Sequence, residues 1–464
     1  MTAIETVTAN LPDKAWTTDP DLIAPHLVEW RDKYRGQTPL LLTPTSTEEV
    51  VTCVNLCRAA GLKIVPQGGN TGLVGGQTPQ GEVLLSTRKM VDIREINART
   101  DSLVAEAGVT LQRVQEAADG AGRKFPLSLA SEGTATIGGL LSTNAGGVHV
   151  LKYGTTKDLV FGVEAVLADG SVYNGLTSLR KDNTGYDLSR LFLGAEGTLG
   201  IITAASLKLF PKPGFVQRAY VGVDSPEGAL RLLEMCRAGG RLAMFEVMPR
   251  IGLELVTTHI ENRRDPFGEP HPWYCLIDWE VDTRAEGEVL AERCLGEAFE
   301  AGVARDAVIA QSEAQAQALM LLREDMSAAQ KFNGGSVKQD ITIPLDRIPE
   351  FFDVADAVVE QVVPGARPVG FGHFGDGNIH YNIAQPEGAD TDAFLARWQD
   401  ISEAVFDIVD RLGGSISAEH GIGIMKRDDL AGRADPTKLA MMRSIKRALD
   451  PDNMMNPRVL LRED

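Results

Sequence analysis

Residues 64–76, IVPQGGNTGLVGG, decide the fold of this chain. A short apolar strand leads directly into a loop, and residues 66–76 contain five glycines. Small residues allow backbone N–H groups to converge on an anion such as a phosphate. A plain turn can have the same composition, so one loop is weak evidence. Three more segments combine Gly with Thr or Asn, and several separate loops suit an extended dinucleotide: EGTATIGG (132–139), NAGG (144–147) and GAEGTLG (194–200).

Two common nucleotide-binding motifs do not apply to this sequence. The P-loop pattern GxxxxGK[ST] is absent. The pattern GxGxxG occurs at Gly370, Gly372 and Gly375, but a Rossmann fingerprint needs a helix directly after it. The following residues, DGNIHYNI (376–383), alternate like a strand instead. We therefore expect neither a P-loop NTPase nor a Rossmann domain.

The order of short helices and strands predicts an α+β chain with more than one domain. Ser46 and Glu49 form an S-x-x-E capping box before apolar residues at helical spacing, and Asp169-Gly170 is typical of a hairpin turn. Prolines in FPKPGF (210–215) stop both neighbouring elements, so a domain boundary is expected there. We predict a dinucleotide-binding domain at 1–213, an α+β substrate domain with an antiparallel sheet at 214–412, and a helical C-terminal segment at 413–464 that packs back toward the dinucleotide.

Composition excludes several classes of protein. The 464 residues carry a formal net charge of −18, which disfavours binding to nucleic acid or to anionic membranes. The five cysteines form no CxxC cluster, so iron–sulfur and structural zinc sites are not expected. The N-terminal residues resemble neither a signal peptide nor a transit peptide, and no apolar run approaches the roughly 18 residues of a membrane helix. We therefore expect a cytoplasmic protein without a membrane span.

Three of the seven histidines lie in two short segments, GFGHFGDGNIHYN (370–382) and SAEHGIG (417–423). If Asp376-Gly377 forms a two-residue hairpin turn, His373 faces His380 directly across the two strands. Glu419 is the candidate carboxylate, and three protein ligands leave an open position, as in catalytic metal sites. The alternative interpretation is that these are hydrogen-bonded loop histidines.

Five motifs in order resemble the FAD-binding domain of the vanillyl-alcohol-oxidase-type flavoproteins, which has two subdomains: TPTSTEEVV (43–51), VPQGGNTGLVGG (65–76), EGTATIGGLLSTNAGG (132–147), KYG (152–154) and LGAEGTLGIIT (193–203). The resemblance spans roughly residues 38–212 and implies that FAD is bound with its pyrophosphate on the first glycine loop. The flavin contacts that it implies are Pro66, Gly68, Gly69, Asn70, Thr71, Gly72, Thr134, Gly138, Gly139, Asn144, Gly147, Gly197, Ile202 and Asn456.

The first glycine loop also bears on how the flavin is attached. Many members of this superfamily bind FAD covalently through a histidine in that loop. Here the loop has Asn70 and no histidine. We therefore expect FAD to be bound non-covalently and to be released when the protein is denatured.

The two histidine segments resemble the C-terminal domain of FAD-linked D-2-hydroxy-acid dehydrogenases, in particular the D-2-hydroxyglutarate dehydrogenase group. The resemblance implies a divalent metal held by His373, His380 and Glu419, with His420 as the base that takes the hydroxyl proton. It also implies that five residues contact the substrate. Arg323, Ser327 and Lys338 lie within LREDMSAAQKFNGGSVKQDITIP, and Asn382 and His420 follow later in the chain. Ser327 departs from the group, which commonly has Thr at that position. Solvated surface charge is the alternative interpretation of Arg323 and Lys338.

These roles imply a mechanism. The metal, with zinc as first choice and manganese, iron or cobalt as alternatives, lowers the pKa of the substrate hydroxyl. His420 accepts the proton, and the C2 hydride passes to flavin N5. Two cations, Arg323 and Lys338, suit a substrate with two carboxylates, so D-2-hydroxyglutarate is the first choice of substrate.

Several alternatives stay open from the sequence. The same type of enzyme could act on D-lactate, D-malate or glycolate, and the metal ligands alone would also suit a hydrolase. A non-catalytic flavin-binding subunit is a third interpretation. The electron acceptor is external, with an electron-transfer flavoprotein suggested by the resemblance, and a homodimer is left open.

Overall fold

The computed structural model describes residues 2–29 and 31–462. The chain divides into two compact units. The first unit contains Met1–Gly147, Tyr153–Lys212 and Glu419–Asp464. The second unit contains Val148–Lys152 and Pro213–Ala418.

The strands, in chain order, are β1 (Trp16–Thr17), β2 (Leu41–Leu42), β3 (Ile64–Gln67), β4 (Val83–Ser86), β5 (Ile93–Asn97), β6 (Ser102–Glu106), β7 (Arg123–Lys124), β8 (Val160–Val166), β9 (Val172–Asn174), β10 (Ile201–Lys208), β11 (Phe210–Pro211), β12 (Phe215–Val223), β13 (Leu242–Pro249), β14 (Trp273–Val281), β15 (Asp306–Ile309), β16 (Ser336–Thr342), β17 (Arg367–Phe371) and β18 (Asn378–Ala384). The helices are α1 (Ala3–Thr8), α2 (Pro20–Leu27), α3 (Thr47–Ala59), α4 (Leu111–Gly120), α5 (Ile137–Thr143), α6 (Val150–Tyr153), α7 (Ser189–Phe192), α8 (Pro226–Arg237), α9 (Arg250–His259), α10 (Arg284–Glu300), α11 (Glu313–Glu324), α12 (Met326–Ala329), α13 (Ile348–Val362), α14 (Thr391–Leu395), α15 (Trp398–Arg411), α16 (Arg427–Arg433) and α17 (Pro436–Leu449).

The C-terminal segment starts later in the structure than the sequence suggested. We placed its start at residue 413, whereas the structure assigns the chain up to Ala418 to the second unit. The reason is a backbone bridge in which Thr342 N donates to Ser415 O at 2.9 Å and Ser415 N donates to Thr342 O at 2.8 Å. From Glu419 onward the chain belongs to the first unit and is not a separate segment. The first boundary lies within FPKPGF, after Lys212.

The first unit is built on two main sheets, and β7 and β11 form a further antiparallel pair. In the smaller one, β2 and β3 both pair with β4 in parallel and β1 lies at one edge, with the order β1-β2-β4-β3. The larger sheet is antiparallel with the order β5-β6-β10-β8-β9, and its central strand β10 is almost entirely buried. The glycine loop follows the carboxyl end of β3, and ligands of parallel sheets bind at that end of the strands.

Helix α3 shows how local sequence fixes one of these elements. Ser46 is its N-cap, and the Ser46 side chain accepts a hydrogen bond from Glu49 N at 3.3 Å. The predicted capping box is only half formed, because Glu49 Oε2 accepts from Thr45 N at 2.7 Å rather than from Ser46 N. Cys53 and Cys57 face the core and are fully buried, as expected for packing residues.

The predicted hairpin turn at Asp169-Gly170 is present. Strands β8 and β9 are antiparallel, with Val166 opposite Val172. Gly170 has a φ of +83°, which glycine adopts without strain. Asp169 Oδ1 accepts a hydrogen bond from Ser171 N at 2.9 Å, which stabilises the turn.

The second unit contains a four-stranded antiparallel sheet that is buried on both faces. Its strand order is β13-β14-β12-β15. Alternate residues of β12 and β14 enter two different hydrophobic clusters: Val221 and Ile277 pack with helices α8 and α10, whereas Tyr220 and Leu276 pack with α9 and α11. This double burial explains why most residues of both strands are apolar.

A three-stranded antiparallel sheet, β16-β18-β17, completes the second unit. One face is apolar: Ile341, Ile379 and Ile383 are buried in the same cluster as α13 and α15. Since side chains alternate along a strand, the residues between them point to the opposite face, which is polar on β16 and β18. That polar face carries the candidate site described below.

Among the described residues, no helix is both long enough and apolar enough to cross a membrane.

Replacing Phe351 with alanine should destabilise the second unit. Phe351 is fully buried on α13, and its ring makes an edge contact with Tyr381, with the centroids 5.1 Å apart. The variant should lower the free energy of unfolding by about 3–5 kcal/mol, measured by urea denaturation. Phe299→Ala is the control, because Phe299 is 44% exposed and its loss should cost about 0.5 kcal/mol or less. Equal losses in the two variants would contradict this core.

Candidate active site

The polar face of the three-stranded sheet brings four of its side chains into register. Lys338 on β16 lies opposite Asn382 on β18, and Asp340 lies opposite His380. Partners in register on antiparallel strands point to the same side of the sheet. His380 Nδ1 lies 3.8 Å from Asp340 Oδ1, and Asn378 Nδ2 donates to Asp340 Oδ1 at 3.0 Å. The face therefore combines a cation, an amide, a carboxylate and an imidazole.

The predicted register of the two histidines is wrong, although the rings do come together. His380 lies opposite Phe371, not opposite His373. Strand β17 ends at Phe371 because Gly372, at φ +148°, leaves the strand conformation, so residues 372–377 form a loop rather than a two-residue turn. The loop folds His373 back toward the sheet, and the His373 and His380 ring centroids lie 5.5 Å apart in an edge arrangement.

A buried carboxylate connects His373 with a candidate substrate residue. Glu246, on β13, is fully buried. One of its oxygens contacts His373 Nδ1, and the other accepts from Arg323 Nε at 2.6 Å. Because Glu246 occupies Nδ1, Nε2 is the nitrogen that His373 can direct at a metal ion. The same carboxylate therefore orients a candidate metal ligand and a candidate substrate cation.

The two partners of Glu246 determine its charge state. Burial alone would raise the pKa of this carboxyl, but the charges and hydrogen bonds of His373 and Arg323 outweigh burial and lower the pKa to about 2. Since the pKa lies below the ordinary value of 4.5, this stabilisation is present above pH 4.5 and is lost as the pH falls toward 2.

Arg323 is a buried residue, not solvated surface charge. It lies near the end of α11 and is 8% exposed. The guanidinium lies over the ring of Phe371, 4.8 Å from the centroid, while Nε is held by Glu246. A guanidinium has five N–H donors in a planar fork, so Arg323 retains donors suited to a carboxylate.

Asn382 and Ser327 occupy different environments. Asn382 is buried, and its Nδ2 donates to Gln330 Oε1 at 2.9 Å. Gln330 Nε2 is itself buried and has no hydrogen-bond partner among the described residues, so it is a donor that a ligand or a water could use. Ser327 lies on the short helix α12 and is exposed.

In the first unit, two of the predicted flavin segments approach so closely that only glycine fits. A Cβ atom at Gly68 would collide with Thr136 Oγ1, and a Cβ atom at Gly69 would collide with Thr134 O. Thr136 Oγ1 is buried and has no hydrogen-bond partner in the part of the chain that the structure describes. Thr134 and Thr136 also line a cavity of about 150 Å³ beside Arg88. An orphaned hydroxyl, close-packed backbone and a cation fit the pyrophosphate of FAD.

The C-terminal chain joins this arrangement. Gly197 has a φ of +74° and lies against Pro66. Asn456 donates from Nδ2 to Gly76 O at 2.9 Å and to Glu196 O at 2.7 Å. Pro66, Gly197 and Asn456 are therefore brought together with the glycine loop, although Asn456 lies hundreds of positions away from it in sequence.

The remaining predicted flavin residues also belong to the first unit, and two have a structural role there. Asn70 adopts a positive φ of 59° and donates from Nδ2 to Val28 O at 2.9 Å. Asn144 caps α5 in the left-handed conformation. The other predicted residues lie in the glycine loop, in or near α5, and on β10: Thr71, Gly72, Gly138, Gly139, Gly147 and Ile202.

Glu419 and His420 open the last segment of the first unit, directly before a tight glycine turn. Both side chains are partly buried. A Cβ atom at Gly146 would meet Glu419 Oε1 at 2.7 Å, so Glu419 packs against the NAGG segment. The metal-binding role of Glu419 and the basic role of His420 stay predictions.

Sequence reasoning missed several residues that the structure links to these sites. Glu246 is the one charged residue in the apolar strand LAMFEVMP, which is a recognisable signal. Asp340 follows Lys338 at strand spacing, so alternation along β16 could have indicated it. Thr136 and Gln330 carry no comparable signal, because each is distinguished only by one buried atom, Oγ1 or Nε2, that has no hydrogen-bond partner among the described residues.

Replacing Glu246 with glutamine tests the bridge. The change leaves Arg323 buried without its carboxylate, so the free energy of unfolding should fall by about 3–5 kcal/mol. If His373 binds a metal ion, the loss of its orienting carboxylate should lower the affinity for Zn²⁺ about 10- to 100-fold in a calorimetric titration. The variant should lack the loss of stability expected for the native protein between pH 4.5 and about 2.

Asp278→Asn is the matched control for this test. Asp278 is buried on β14 and forms an ion pair with Arg218 in which the two contacts are 2.7 and 2.6 Å. Its loss should destabilise the protein by a similar amount and leave Zn²⁺ affinity unchanged. Unaltered Zn²⁺ binding in Glu246→Gln would disprove the orienting role.

Comparison with known families and proteins shows which family the chain belongs to. Residues 38–175 match the family model described as FAD binding domain, and residues 212–460 match FAD linked oxidases, C-terminal domain. The mitochondrial D-2-hydroxyglutarate dehydrogenase of Bos taurus is 38% identical over 96% of this chain and 80% of its own length. A putative mitochondrial D-lactate dehydrogenase of Schizosaccharomyces pombe is 33% identical over 95% of this chain and 85% of its own length.

Solved structures show the same fold at low sequence identity. A p-cresol methylhydroxylase structure with substrate bound matches with a TM-score of 0.75 at 18% identity, over 98% of this chain and 95% of that one. The predicted α+β fold of the vanillyl-alcohol-oxidase type is thus confirmed. The two family matches and the close relatives show that this chain belongs to the FAD-linked oxidases.

Proposed function

We propose that this protein uses FAD to oxidise a D-2-hydroxy acid, with D-2-hydroxyglutarate as the first choice of substrate. The observation that carries the proposal is the second unit's polar constellation, in which Lys338, Asn382 and His380 share one sheet face. Arg323 is joined to His373 through Glu246. A FAD-linked oxidase with paired histidines and two cations suits an anionic hydroxy acid. The names of the relatives support this choice.

A divalent metal is part of the proposal. His373 and His380 present imidazoles to one another, and such ligands accept zinc, manganese, iron or cobalt. We propose Glu419 as the third ligand. Ala418 N donates to Asp340 O at 3.3 Å within the second unit, and Glu419 is the next residue along the chain. A bound divalent cation supplies Lewis acidity, which lowers the pKa of a coordinated hydroxyl.

Protein side chains supply the remaining steps. His420 takes the proton of the substrate hydroxyl, since a neutral imidazole is a base suited to pH 7. Arg323 and Lys338 bind the carboxylates and align the C2–H bond. Bound FAD supplies the hydride acceptor, and the glycine segments of the first unit hold it.

The proposal also covers how FAD is attached, which acceptor takes the electrons and where the protein is located. FAD is held non-covalently, since the glycine loop has no histidine. Electrons leave the flavin to an external acceptor, for which an electron-transfer flavoprotein is the first choice. We propose a cytoplasmic location; the names of the two relatives described above contain the word mitochondrial.

D-lactate is the second candidate substrate, with D-malate and glycolate as related choices. The name of the fission yeast relative favours it. In this chain Ser327 is exposed on α12 and differs from the Thr expected for the D-2-hydroxyglutarate group, so the fit around a second carboxylate is the point to test.

Removing the metal should abolish oxidation and leave the flavin in place. The purified holoenzyme is dialysed against a chelator, and metal content, flavin absorbance and dye reduction by D-2-hydroxyglutarate are measured together. We expect activity to fall with metal content and to return on addition of Zn²⁺, Mn²⁺ or Co²⁺, while the flavin spectrum persists. Full activity in metal-free protein would refute the role of the metal.

Lys338→Ala should separate a dicarboxylate from a monocarboxylate substrate. If Lys338 binds the second carboxylate, kcat/KM for D-2-hydroxyglutarate should fall about 10- to 100-fold, the size of one lost charged hydrogen bond, and kcat/KM for D-lactate should change little. Lys331→Ala is the control, because Lys331 is an exposed lysine of the same unit. An equal loss for both substrates would contradict a second-carboxylate role for Lys338.

A further inference from the structure

Glu196 is a buried carboxylate of the first unit that the proposed reaction does not use. It lies in the GAEGTLG segment before β10 and is 7% exposed. Its two oxygens accept hydrogen bonds from two successive backbone amides: Ile422 N donates to Oε1 at 2.8 Å, and Gly423 N donates to Oε2 at 2.8 Å. These amides belong to the turn that directly follows His420.

The turn after His420 has little freedom to move. Gly421 has a φ of +81°, and a Cβ atom there would meet Glu196 Oε1 at 2.9 Å. Gly423 has a φ of +55°, and a Cβ atom there would collide with Val74 O. The turn is therefore held between the Glu196 carboxylate and the backbone of the first glycine loop.

The backbone of Glu196 is also held by a hydrogen bond. Glu196 O accepts from Asn456 Nδ2, which also donates to Gly76 O. Ile424 N donates to Val74 O at 3.0 Å. Glu196 thus connects the C-terminal chain with the turn after His420, and Asn456 and Ile424 join both to the first glycine loop.

Keeping a charged carboxylate at the buried position of Glu196 costs free energy. Burial raises the pKa of Glu196 to about 7, against the opposing effects of the two backbone hydrogen bonds and the charge of Lys426. A neutral amide would avoid that cost, but it offers one oxygen where two adjacent N–H groups need acceptors.

We infer that Glu196 is a positioning residue for His420: its two oxygens fix the turn at residues 421–423 and so set where the imidazole is presented. The inference rests on the proposed function, in which His420 takes the hydroxyl proton. Small displacements of a catalytic group cost large factors in rate, so fixing the backbone next to the base affects turnover more than substrate binding.

The test compares Glu196→Gln and Glu196→Asp with native holoenzyme at equal flavin concentration. In Glu196→Gln one backbone amide faces an NH₂ group instead of an acceptor, so kcat should fall about 10- to 100-fold with little change in KM. The deuterium isotope effect with 2-deuterated D-2-hydroxyglutarate should rise, because chemistry becomes slower than the other steps. Glu196→Asp keeps two acceptors and should recover part of the rate; it also serves if the Gln variant does not fold.

Glu106→Gln is the matched control. Glu106 is a buried carboxylate of the same unit that accepts from Asp92 N at 3.1 Å and forms an ion pair with Arg94. This variant should keep the native kcat per flavin and the native isotope effect. Unchanged kcat and isotope effect in Glu196→Gln, or equal losses in Glu106→Gln, would overturn the inference.

His420→Ala separates this inference from the proposed function. Loss of the base should lower turnover about 100-fold or more. If His420→Ala is inactive and Glu196→Gln is unchanged, the inference fails and the proposed function stands. If His420→Ala keeps full turnover, the proposed base fails, and the inference fails with it.

Discussion

The carboxylate of Glu246 is the interaction on which the second unit's chemistry depends. A fully buried carboxylate is costly unless cations and hydrogen-bond donors surround it. Arg323 supplies a cation and a hydrogen bond on one oxygen, and His373 Nδ1 contacts the other. Each of the three groups therefore constrains the other two, and a candidate metal ligand is coupled to a candidate substrate anchor. These contacts hold the three side chains in rotamers that exposed side chains would not keep. The ring of Phe371 also packs against the Arg323 guanidinium.

The first unit relies on a different constraint, which is close backbone packing. Gly68 and Gly69 allow the first glycine loop to approach the segment containing Thr134 and Thr136, where any side chain would collide. Such packing exposes backbone N–H groups to a phosphate and excludes competing side chains. Glu196 extends the same principle with a charged group, because it binds two successive amides of another chain segment.

Several features of the site could be predicted from the sequence, and the reasons are physical. Glycine spacing after an apolar strand indicates an anion site because no other residue permits the backbone approach, and the histidine pair indicated a metal site. The register of that pair could not be predicted. Gly372 has a φ of +148°, so β17 ends earlier than a two-residue turn at Asp376-Gly377 would require. His373 therefore reaches His380 from a loop and not from the facing position on the neighbouring strand.

The sequence by itself determined the α+β class, the glycine segments of the FAD-binding domain and the residue types of the polar face, because these follow from local spacing and strand alternation. Only the tertiary structure decided that Glu246 bridges His373 and Arg323, and that Glu196 accepts hydrogen bonds from the turn after His420. Both involve residues far apart in the chain, joined by burial and by the need of buried carboxylates for donors. The opening glycine loop therefore determined the fold, whereas buried carboxylates determined how the candidate site is held.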